Sequence, residues 1–493
     1  MPLPSAVYSA SQVRDFDARA IAAGTPGYTL MKRAGEAALR ALRTRWPRAV
    51  RIAIVCGGGN NGGDGYVMAR FAGAAGLSVR ALSATPPDTL RGDARRAYDD
   101  ALASGCDITP FETATLEASE VIVDALLGTG TQLPLREAVI SVIEAINAAG
   151  RPVLSLDLPS GLDATNGAIG TAVVRADVTV TFVALKSGLY CGQGPEFAGQ
   201  VACDELDVPT PDDALPMLQR LDDRCLLRAL PRRPRNSHKA EFGRVLVIGG
   251  GSGMPGAVRL AAEAALRVGA GLVTVASRPE HLAAIVGPCP ELMFAPLPDV
   301  APLPALVAAA DVVVLGPGLG RSAWSQMVFD AVMATRREGQ PLLLDADALN
   351  LLAADQEPPT CADWILTPHP GEAARLLGLT ATEVQADRLG ALAQLVATRG
   401  GRVVLKGAGT LIGSAGAVPQ ICERGNPGMA IPGMGDVLSG TIAGVLGQCR
   451  DVDVAVAAAV FAHASAGDAV ARGGERGILA SDVIRELRNW VNR

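Results

Sequence analysis

The chain has 493 residues, which predicts about three domains or two large ones. Lys and Arg (44) are outnumbered by Asp and Glu (50), and the formal net charge of −6 disfavours the basic surface typical of nucleic-acid binding. Hydrophobic residues make up 49% of the chain and aromatic residues only 4%. This composition predicts large cores of small aliphatic side chains, as in helices packed on parallel sheets.

Nine cysteines are scattered along the chain and never form a C-x-x-C pair. An odd number of dispersed cysteines predicts reduced thiols in a cytoplasmic protein, without a disulfide framework or a zinc site. Residues 1–14 lack the basic segment and apolar core of a signal peptide, and no charge-free apolar run reaches the roughly 18 residues of a membrane span. Secretion and membrane insertion are therefore not expected.

In the first part of the chain, short apolar segments that predict strands alternate with helical patterns. The predicted strands are residues 51–56, 77–82, 121–124, 153–157 and 178–184. The predicted helices between them include residues 62–75, 92–103 and 135–149. Such alternation predicts βαβ units and a parallel sheet.

A Pro-rich, polar stretch at residues 208–216 interrupts this alternation. It predicts a domain boundary that divides the chain into residues 1–215 and 216–493. Beyond it the pattern resumes, with strands predicted at residues 244–248, 272–276, 312–315, 342–345, 364–367 and 402–406. The sequence therefore predicts two tandem domains of the α/β class.

The first predicted strand leads into a glycine loop, residues 57–65 (GGGNNGGDG), and then into a helix. Such a turn directs backbone N–H groups and the positive end of the helix dipole toward an anion. Gly57, Gly59 and Gly62 fit the dinucleotide pattern G-x-G-x-x-G, but no Asp or Glu follows in the second strand to hold a ribose. A hydride-transferring NAD oxidoreductase is therefore not expected.

Polar side chains lie on this loop and at the ends of two later strands. They are Asn60, Asn61 and Asp64 on the loop, Asp124 after one strand, and Asp157 with Ser160 after another. Because ligands of open α/β sheets bind at the carboxyl ends of strands, we expect these side chains to converge. Each Asp could instead cap the following helix, an alternative that weakens when three of them are considered together.

At these residues, from about 8 to 209, the sequence resembles the YjeF N-terminal family of NAD(P)H-hydrate epimerases, most closely in residues 157–163 (DLPSGLD), 176–182 and 186–189. The resemblance implies a Rossmann-like three-layer α/β/α domain. It implies that the hydrated nucleotide contacts Asn60, Asn61, Gly62, Gly63, Asp64, Gly128, Thr129, Gly130, Thr131, Gln132, Leu133, Pro134 and Asp157. It also implies a potassium ion held by oxygen atoms of Asn61, Asp124 and Ser160. Lys186 is either a substrate contact or a solvated lysine.

In the second domain, the strand at residues 244–248 enters another glycine loop, in which Gly251, Gly253 and Gly256 again fit G-x-G-x-x-G. More specific is the segment 426–436 (NPGMAIPGMGD), followed by a helix predicted at residues 437–446. Its glycines would leave backbone amides open at the helix N-terminus as an anion hole, with Asp436 as a candidate general base beside it. Alternatively, Asp436 only caps the helix.

Together with the motifs LGPGLG (315–320), DADALN (345–350), TPHPGE (367–372) and KGAGT (406–410), this segment resembles the ADP/ATP-dependent NAD(P)H-hydrate dehydratases, a branch of the ribokinase-like kinases, from about residue 226 onward. The resemblance implies a ribokinase-like α/β domain. It implies that ADP or ATP contacts Lys406, Gly407, Ala408, Gly409, Thr410 and Gly435. It implies substrate contacts for Ala257, Gly318, His369 and Asp436, with Asp436 catalytic. Without its motif, His369 would be interpreted as an ordinary buried histidine.

One departure concerns residues 431–436, which read IPGMGD where the family usually has TGGTGD. Ile431 and Met434 therefore lack hydroxyl groups that could assist the phosphate. Because the glycines and Asp436 are present, activity is expected, and the nucleotide preference and rate stay open.

The two resemblances imply repair of hydrated nicotinamide cofactors. The first domain would interconvert the R and S epimers of NADHX and NADPHX with K⁺ bound, and either Asp124 or Asp157 could assist as the catalytic carboxylate. The second would phosphorylate the C6 hydroxyl of the S epimer with ADP or ATP and Mg²⁺, with Asp436 as the base, and then eliminate phosphate. Both families imply a homo-oligomer. The alternative is a ribokinase-like small-molecule kinase fused to a non-catalytic nucleotide-binding module.

Overall fold

The computed structural model describes residues 3–131, 133–355 and 359–492. The chain divides into two compact units, the first ending at Gln219 and the second beginning at Arg220. This division lies close to the boundary predicted between residues 215 and 216. The predicted α/β class with two tandem domains is confirmed.

The N-terminal unit is built on a parallel sheet with strand order β4–β3–β2–β5–β6–β7–β9. Its strands are β1 (Ala6–Tyr8), β2 (Arg51–Cys56), β3 (Ser78–Ser83), β4 (Asp107–Pro110), β5 (Val121–Ala125), β6 (Val153–Leu156), β7 (Val178–Phe182), β8 (Leu185–Lys186) and β9 (Gln200–Asp204). Its helices are α1 (Ala10–Ala22), α2 (Gly27–Arg45), α3 (Asn60–Ala74), α4 (Gly92–Ala103), α5 (Thr113–Ala118), α6 (Glu137–Ala148) and α7 (Gly194–Phe197). The strand order reverses beside β2, where a sheet of this kind opens a ligand crevice.

The C-terminal unit has strands in the order β13–β12–β11–β14–β15–β16–β17–β18–β19, parallel up to β17 and antiparallel beyond it. After β10 (Leu218–Arg220), in which the division falls, its strands are β11 (Arg244–Ile248), β12 (Leu272–Ser277), β13 (Met293–Pro296), β14 (Val312–Leu315), β15 (Leu342–Leu344), β16 (Trp364–Leu366), β17 (Arg402–Leu405), β18 (Thr410–Ser414) and β19 (Gln420–Cys422). The helices are α8 (Arg224–Ala229), α9 (Pro255–Arg267), α10 (Leu282–Val286), α11 (Leu303–Ala309), α12 (Ala323–Thr335), α13 (Asp347–Ala354), α14 (Pro370–Leu377), α15 (Ala381–Ala386), α16 (Arg388–Arg399), α17 (Met434–Leu446), α18 (Val452–Ala471) and α19 (Ala480–Trp490).

Small side chains let the central helices of the C-terminal unit pack closely, as the composition predicts. A Cβ atom at Gly440 of α17 would overlap the backbone of Ala261 in α9, and one at Gly444 would approach the Ala265 carbonyl. The helix α18 is long and apolar enough to cross a membrane, but 72% of its apolar window is buried within the fold. It packs as a core helix, with its Ala and Val side chains in the main hydrophobic cluster of this unit.

Two helices begin earlier than the sequence predicts, and this moves site residues from loops into first turns. The helix α3 begins at Asn60 instead of residue 62, and α17 begins at Met434 instead of residue 437. Glycines supply the N-caps: Gly59 is extended, whereas Gly433 has a left-handed φ of 92°. Since Gly433 caps α17, the alternative in which Asp436 acts as the N-cap is wrong.

Candidate functional site

Three oxygen-bearing side chains converge at the carboxyl edge of the N-terminal sheet, as predicted. Ser160 donates from its backbone N–H (2.9 Å) and its hydroxyl (2.6 Å) to the two carboxylate oxygens of Asp124. The Asn61 side-chain amide donates to the Leu127 carbonyl (2.8 Å), and the Ser160 hydroxyl also lies 3.3 Å from that carbonyl oxygen. Asn61, Asp124 and Ser160 are therefore brought together around Leu127.

One oxygen atom in this cluster lacks a hydrogen-bond partner among the residues that the structure describes. It is the buried Oδ1 atom of Asn61. Its neighbours on the cluster are a carboxylate, a hydroxyl and a backbone carbonyl, which are the hard oxygen donors that alkali and alkaline-earth cations prefer. A buried acceptor with no donor has a desolvation cost that a bound cation would remove. The donor set thus fits the predicted potassium ion.

The Asp124 carboxylate is surrounded by hydrogen-bond donors. Besides Ser160, the Ser155 hydroxyl (2.8 Å) and the Leu126 backbone N–H (3.2 Å) donate to its carboxylate. The side chain is fully buried, and this burial raises the pKa of Asp124 against the opposing effect of these hydrogen bonds. The Asp124 carboxylate is therefore held in place as a hydrogen-bond acceptor, and its donors lie on neighbouring strands and loops.

Asp157 occupies a different position, beside the loop that is predicted to contact the hydrated nucleotide. Its backbone has a positive φ of 66°, a strained conformation for a residue with a Cβ atom, and such conformations cluster at functional sites. One carboxylate oxygen accepts from the backbone N–H of Thr129 (3.1 Å), and the other accepts from Lys186 Nζ (2.5 Å). A Cβ atom at Gly128 would lie 3.1 Å from the same carboxylate. The structure therefore joins Asp157 to the predicted loop of residues 128–134, of which Gln132 lies outside the described residues.

Lys186 is buried, so the interpretation of this residue as a solvated lysine is wrong. In addition to Asp157, its ammonium group donates to the Thr181 hydroxyl (3.0 Å) and the Phe182 carbonyl (2.7 Å). These three bonds use all three N–H donors of the side chain. Lys186 therefore acts as the counter-charge of Asp157, and the sequence missed this pair because the two residues come from different strands.

Asp64, in the first turn of α3, is a half-buried carboxylate of the same site. Burial raises the pKa of Asp64 well above its ordinary value, Asp157 and Asp17 raise it further, and Lys186 opposes them. Asp17, on α1, was missed by the sequence analysis, and burial also raises its pKa. Helix α1 reaches this region through Arg14, which donates to the Thr129 carbonyl (2.9 Å). No local sequence signal connects α1 to the site.

The remaining loop residues predicted to contact the hydrated nucleotide adopt a tight turn. Thr131 donates from its backbone N–H (3.0 Å) and its hydroxyl (2.7 Å) to the Gly128 carbonyl. Leu133 is exposed after this turn. Their roles as substrate contacts stay predictions.

In the C-terminal unit, the first turn of α17 forms the centre of the site. Asp436 is the third residue of this helix, and no hydrogen bond to its carboxylate occurs among the residues that the structure describes. Burial raises the pKa of Asp436 to about 7, with a further contribution from Asp345, while Lys406 opposes the shift. A Cβ atom at Gly435 would lie 3.2 Å from Lys406 Nζ. A proton acceptor, helix amides and an ammonium group thus lie side by side.

Lys406 follows β17 and bridges two acidic side chains. Its Nζ atom donates to Asp345 (2.7 Å) and lies 3.7 Å from Glu372. Burial would raise the pKa of Asp345, but Lys406 and the Ser439 hydroxyl (2.7 Å) hold it below its ordinary value. Burial would likewise lower the pKa of Lys406, but Asp345 and Glu372 raise it overall. The Lys406–Asp345 pair is therefore ionised.

His369 caps the helix α14. Its Nδ1 atom accepts from the backbone N–H groups of Gly371 (3.0 Å) and Glu372 (3.3 Å), which leaves the proton on Nε2. Burial and the nearby Lys406 lower the pKa of His369, so the ring is neutral at physiological pH. Glu372 closes the capping box, and burial raises its pKa to about 7. The His369 side chain is half-exposed, and its Nε2 atom lies 3.4 Å from a carboxylate oxygen of Glu372.

The structure also brings the other predicted contacts of this unit together. Gly318, with a φ of 58°, faces Ala257, since a Cβ atom at Gly318 would lie 3.0 Å from the Ala257 Cβ. The turn of residues 406–410 is closed by a bond from the Thr410 hydroxyl to the Gly407 carbonyl (3.0 Å). Arg388 donates to the Gly409 carbonyl (3.1 Å) and supports this turn. The sequence analysis assigned no role to Arg388.

Comparisons with known proteins address both units. Residues 27–188 match the family described as "YjeF-related protein N-terminus", and residues 245–489 match the family described as "NAD(P)H-hydrate dehydratase". A bifunctional NAD(P)H-hydrate repair enzyme from Coxiella burnetii is 46% identical, over 99% of each chain. The Escherichia coli enzyme of that name is 42% identical, over 99% of this chain and 95% of its own length. The chain belongs to the bifunctional NAD(P)H-hydrate repair enzymes.

The solved structures agree with the fold of the C-terminal unit. A ribokinase-like superfamily protein from Enterococcus faecalis is 31% identical with a TM-score of 0.53, covering 57% of this chain and 98% of its own. The ribokinase-like fold predicted for this unit is thereby confirmed. Membership in the repair family supports hydrate repair over the alternative of a small-molecule kinase with a non-catalytic module.

Proposed function

We propose that the N-terminal unit interconverts the R and S epimers of NADHX and NADPHX, and that the C-terminal unit dehydrates the S epimer with ADP or ATP. Family membership supports both activities. The observation that carries the second is Asp436, a carboxylate with a pKa of about 7 and no hydrogen bond among the described residues, beside the amides of α17 and Lys406. This combination suits transfer of a phosphoryl group onto a hydroxyl.

The dehydratase reaction begins with the C6 hydroxyl of the hydrate. Asp436 accepts its proton while the oxygen forms a bond to the terminal phosphorus of the nucleotide, whose bridging P–O bond breaks. Lys406 and the backbone amides of residues 433–435 balance the charge on the transferring group. Phosphate then leaves with the C6–O electron pair, assisted by the ring nitrogen, and loss of a proton from C5 restores the double bond of NAD(P)H.

The nucleotide is expected to bring Mg²⁺, which supplies charge neutralisation on its phosphates. No group of three or more His, Cys, Asp or Glu side chains that could hold a metal ion occurs in the described part of the chain. Asp345 is already bonded to Lys406 and Ser439, and Asp347 accepts from the Gly320 N–H (2.8 Å). The phosphates themselves would therefore supply most of the magnesium ligands.

In the N-terminal unit, the contacts support Asp157 over Asp124 as the carboxylate that assists epimerisation. Asp124 is fully buried and all its bonds run to neighbouring strands and loops. Asp157 instead accepts a hydrogen bond from Thr129 in the predicted substrate loop, and its charge raises the pKa of Asp64. A proton retained on Asp64 could be given to the departing C6 hydroxyl, and Asp157 could orient the returning water.

The potassium ion would be held by Asn61, Asp124, Ser160 and the Leu127 carbonyl. When bound, it supplies a fixed positive charge that ties the first turn of α3 to the loop after β5. The free thiols of all nine cysteines are compatible with the expected cytoplasmic location, where disulfides are rare. A homo-oligomer stays an expectation from the family resemblance.

The experiment that tests this function is recovery of NADH from a fresh mixture of both NADHX epimers, supplied with Mg²⁺, K⁺ and either ADP or ATP. Wild-type protein should convert both epimers completely. Asp436→Asn should produce no NADH, and Asp157→Asn should stop at the share of the S epimer. The exposed surface variant Asp330→Asn is the matched control and should behave as wild type.

A mixture of the two single-site variants provides a second test. Asp436→Asn retains an intact N-terminal site and Asp157→Asn an intact C-terminal site, so a mixture of both variants should restore complete recovery. Absence of NADH from wild-type protein with either nucleotide would contradict the proposal, and accumulation of a stable phosphate ester would favour the kinase alternative.

A further inference from the structure

The loop that precedes α17, residues 425–433 (the α17 loop), is anchored by apolar side chains in this chain. Met429 and Ile431 pack against the main hydrophobic cluster of the C-terminal unit, and Met434, the first residue of α17, belongs to that cluster with 6% of its surface exposed. Ile431 and Met434 are the positions at which the sequence departs from the family pattern. Their side chains therefore anchor the backbone of the loop and of the first turn of α17 in the core.

A polar contact from α18 holds the beginning of the α17 loop. The two carboxylate oxygens of Asp468 lie 3.1 and 3.2 Å from the backbone N–H of Gly425, which donates to both. The side-chain amide of Asn426 also donates to Asp468 (3.1 Å). Asn426 in turn accepts from the Gly428 N–H (3.1 Å) and caps the short helical turn Pro427–Met429. A continuous chain of hydrogen bonds thus runs from α18 into the loop.

The same helix also contacts the middle and the end of the loop. A Cβ atom at Gly467 would overlap the Met429 side chain, so this glycine provides the space in which Met429 lies. His463, one helical turn earlier, is buried beside the backbone of Met434. Since burial lowers the pKa of His463 to about 4, the ring is neutral and its contact persists across the physiological pH range.

We propose that Asp468 is a positioning residue of the dehydratase site. Through Gly425 and Asn426 it fixes the α17 loop, so that the amides of residues 433–435 and the Asp436 carboxylate keep the geometry needed for phosphoryl transfer. This inference rests on the proposed function of the C-terminal unit. Asp468 lies on α18, and its hydrogen bonds within the described part of the chain run to Gly425 and Asn426, so it acts on the reaction through the backbone that it holds.

The first part of the test compares Asp468→Ala with the matched control Asp453→Asn in the full-length protein. Asp453 lies on the same helix and pairs with Arg402 (3.0 Å), at the end remote from the α17 loop. Asp468→Ala should lower the dehydratase kcat roughly 10- to 100-fold, the range expected when reacting groups are misplaced by about 1 Å. Its KM for the S epimer of NADHX should change little. The epimerisation rate, measured on the same sample, should equal that of the wild type.

The second part exchanges the partners of the hydrogen bond. Asp468→Asn alone removes the negative charge and leaves one acceptor oxygen for both the Gly425 N–H and the Asn426 amide. Asn426→Asp alone places two carboxylates opposite each other, so each variant should lower kcat. The double variant recreates an amide–carboxylate bond with the donor and acceptor exchanged, and it should recover most of the lost rate. A general loss of stability would not be reversed in this way.

Direct binding of Mg²⁺–ATP, measured by calorimetry without NADHX, provides a readout that does not need the reaction. Asp468→Ala should weaken this binding and the exchanged pair should restore it. Unchanged kcat and unchanged nucleotide Kd in Asp468→Ala would overturn the inference, as would a parallel loss of both enzymatic activities. If the wild type itself makes no NADH, the proposed function fails, and the nucleotide Kd series alone then upholds or overturns the positioning role.

Discussion

Each unit contains a lysine–aspartate pair at the carboxyl edge of its sheet, fully buried in the N-terminal unit and partly exposed at Lys406 in the C-terminal unit. The first pair presents a negative charge to its site, and the second pair presents a positive charge. In the N-terminal unit, Lys186 is enclosed and uses every donor on Asp157, Thr181 and Phe182. In the C-terminal unit, Lys406 has one short bond, to Asp345, and its 3.7 Å separation from Glu372 is too long for a hydrogen bond.

The two units therefore present groups of opposite charge to their sites. Asp157 accepts from Thr129 in the predicted substrate loop, with Lys186 on its other oxygen as a counter-charge, so the N-terminal unit presents a carboxylate. Asp345 lies behind Lys406, whose ammonium group is directed toward Gly435, so the C-terminal unit presents a cation. Hydroxyl and proton exchange needs the former arrangement, and phosphate binding needs the latter.

The largest effects should come from removing the two lysines. Lys406→Met should lower nucleotide-dependent dehydration roughly 100- to 1,000-fold and leave epimerisation intact, because it removes the ammonium group that we propose balances the charge of the transferring phosphate. Lys186→Met should abolish epimerisation and destabilise its unit by about 3–5 kcal/mol, because Asp157 is left as an unpaired buried charge. Both activities and thermal unfolding are measured on each variant.

The contrast between the two variants is the control for this prediction. A Lys186→Met protein that still exchanges epimers at the wild-type rate would show that the pair has no part in the N-terminal chemistry. Equal loss of both activities in either variant would contradict the division of roles.

A second prediction concerns pH. Because the pKa of Asp436 is raised to about 7, the carboxylate is protonated below that pH and cannot accept the hydroxyl proton. The kcat/KM of dehydration should therefore fall about tenfold for each pH unit below 7 and reach a plateau above it. The profile is measured with the purified S epimer and saturating nucleotide.

Glu372 requires a separate variant because its pKa is also about 7. If Asp436 is the titrating base, the kcat/KM of Glu372→Gln should still fall about tenfold for each pH unit below 7. If this fall disappears in Glu372→Gln, Glu372 is the titrating base.

The sequence predicted the centres of both sheets, because buried parallel strands are continuous apolar runs. The strands β2, β11 and β14 begin and end at the predicted residues. The edge strands β4 and β13 were missed, since both are only four residues long, half-exposed and end in a proline. They form strands because they pair with β3 and β12 at the sheet edges, and this pairing depends on the whole fold.

For the sites, residues at strand ends and in glycine loops were predictable, and their partners were not. The convergence of Asn61, Asp124 and Ser160 follows from the topology of a parallel sheet. The pairing of Lys186 with Asp157 required the register of separate strands, and Asp17 comes from a helix with no motif. Sequence patterns thus identify the polar residues that each segment contributes to a site. Tertiary contacts determine which of these side chains are paired and which charge faces the site.

A third prediction compares one glycine from each site. Gly435→Ala places a methyl group 3.2 Å from Lys406 Nζ, the flexible end of a side chain, so the fold should survive. The nucleotide KM should rise, by about tenfold, because the methyl group displaces Lys406 from the position in which we propose that it binds the phosphate. Gly62→Ala would instead drive a methyl group into the backbone of Gly57, so it should destabilise the N-terminal unit. Steady-state kinetics and thermal unfolding distinguish the two, and a destabilised Gly435→Ala protein with normal kinetics would contradict this reading.

The smallest expected effect is the stabilisation of the N-terminal unit by potassium. A ligand that binds only the folded state at ten times its Kd adds about 1.4 kcal/mol, which corresponds to a Tm increase of roughly 3–5 °C for a unit of this size. Scanning calorimetry in KCl and in choline chloride at equal ionic strength measures the shift. Asn61→Leu should remove it, because this variant lacks the unpaired Oδ1 atom.

The matched control is Asn147→Leu in the same unit. Both polar atoms of Asn147 are already bonded, to the Val173 carbonyl (2.9 Å) and the Arg175 N–H (2.9 Å), so its loss should lower the Tm but leave the potassium response intact. A potassium shift that persists in Asn61→Leu would separate the ion from this cluster. Asp124 and Ser160 would then be a structural hydrogen-bond pair, and the contrast between the units would rest on their lysines alone.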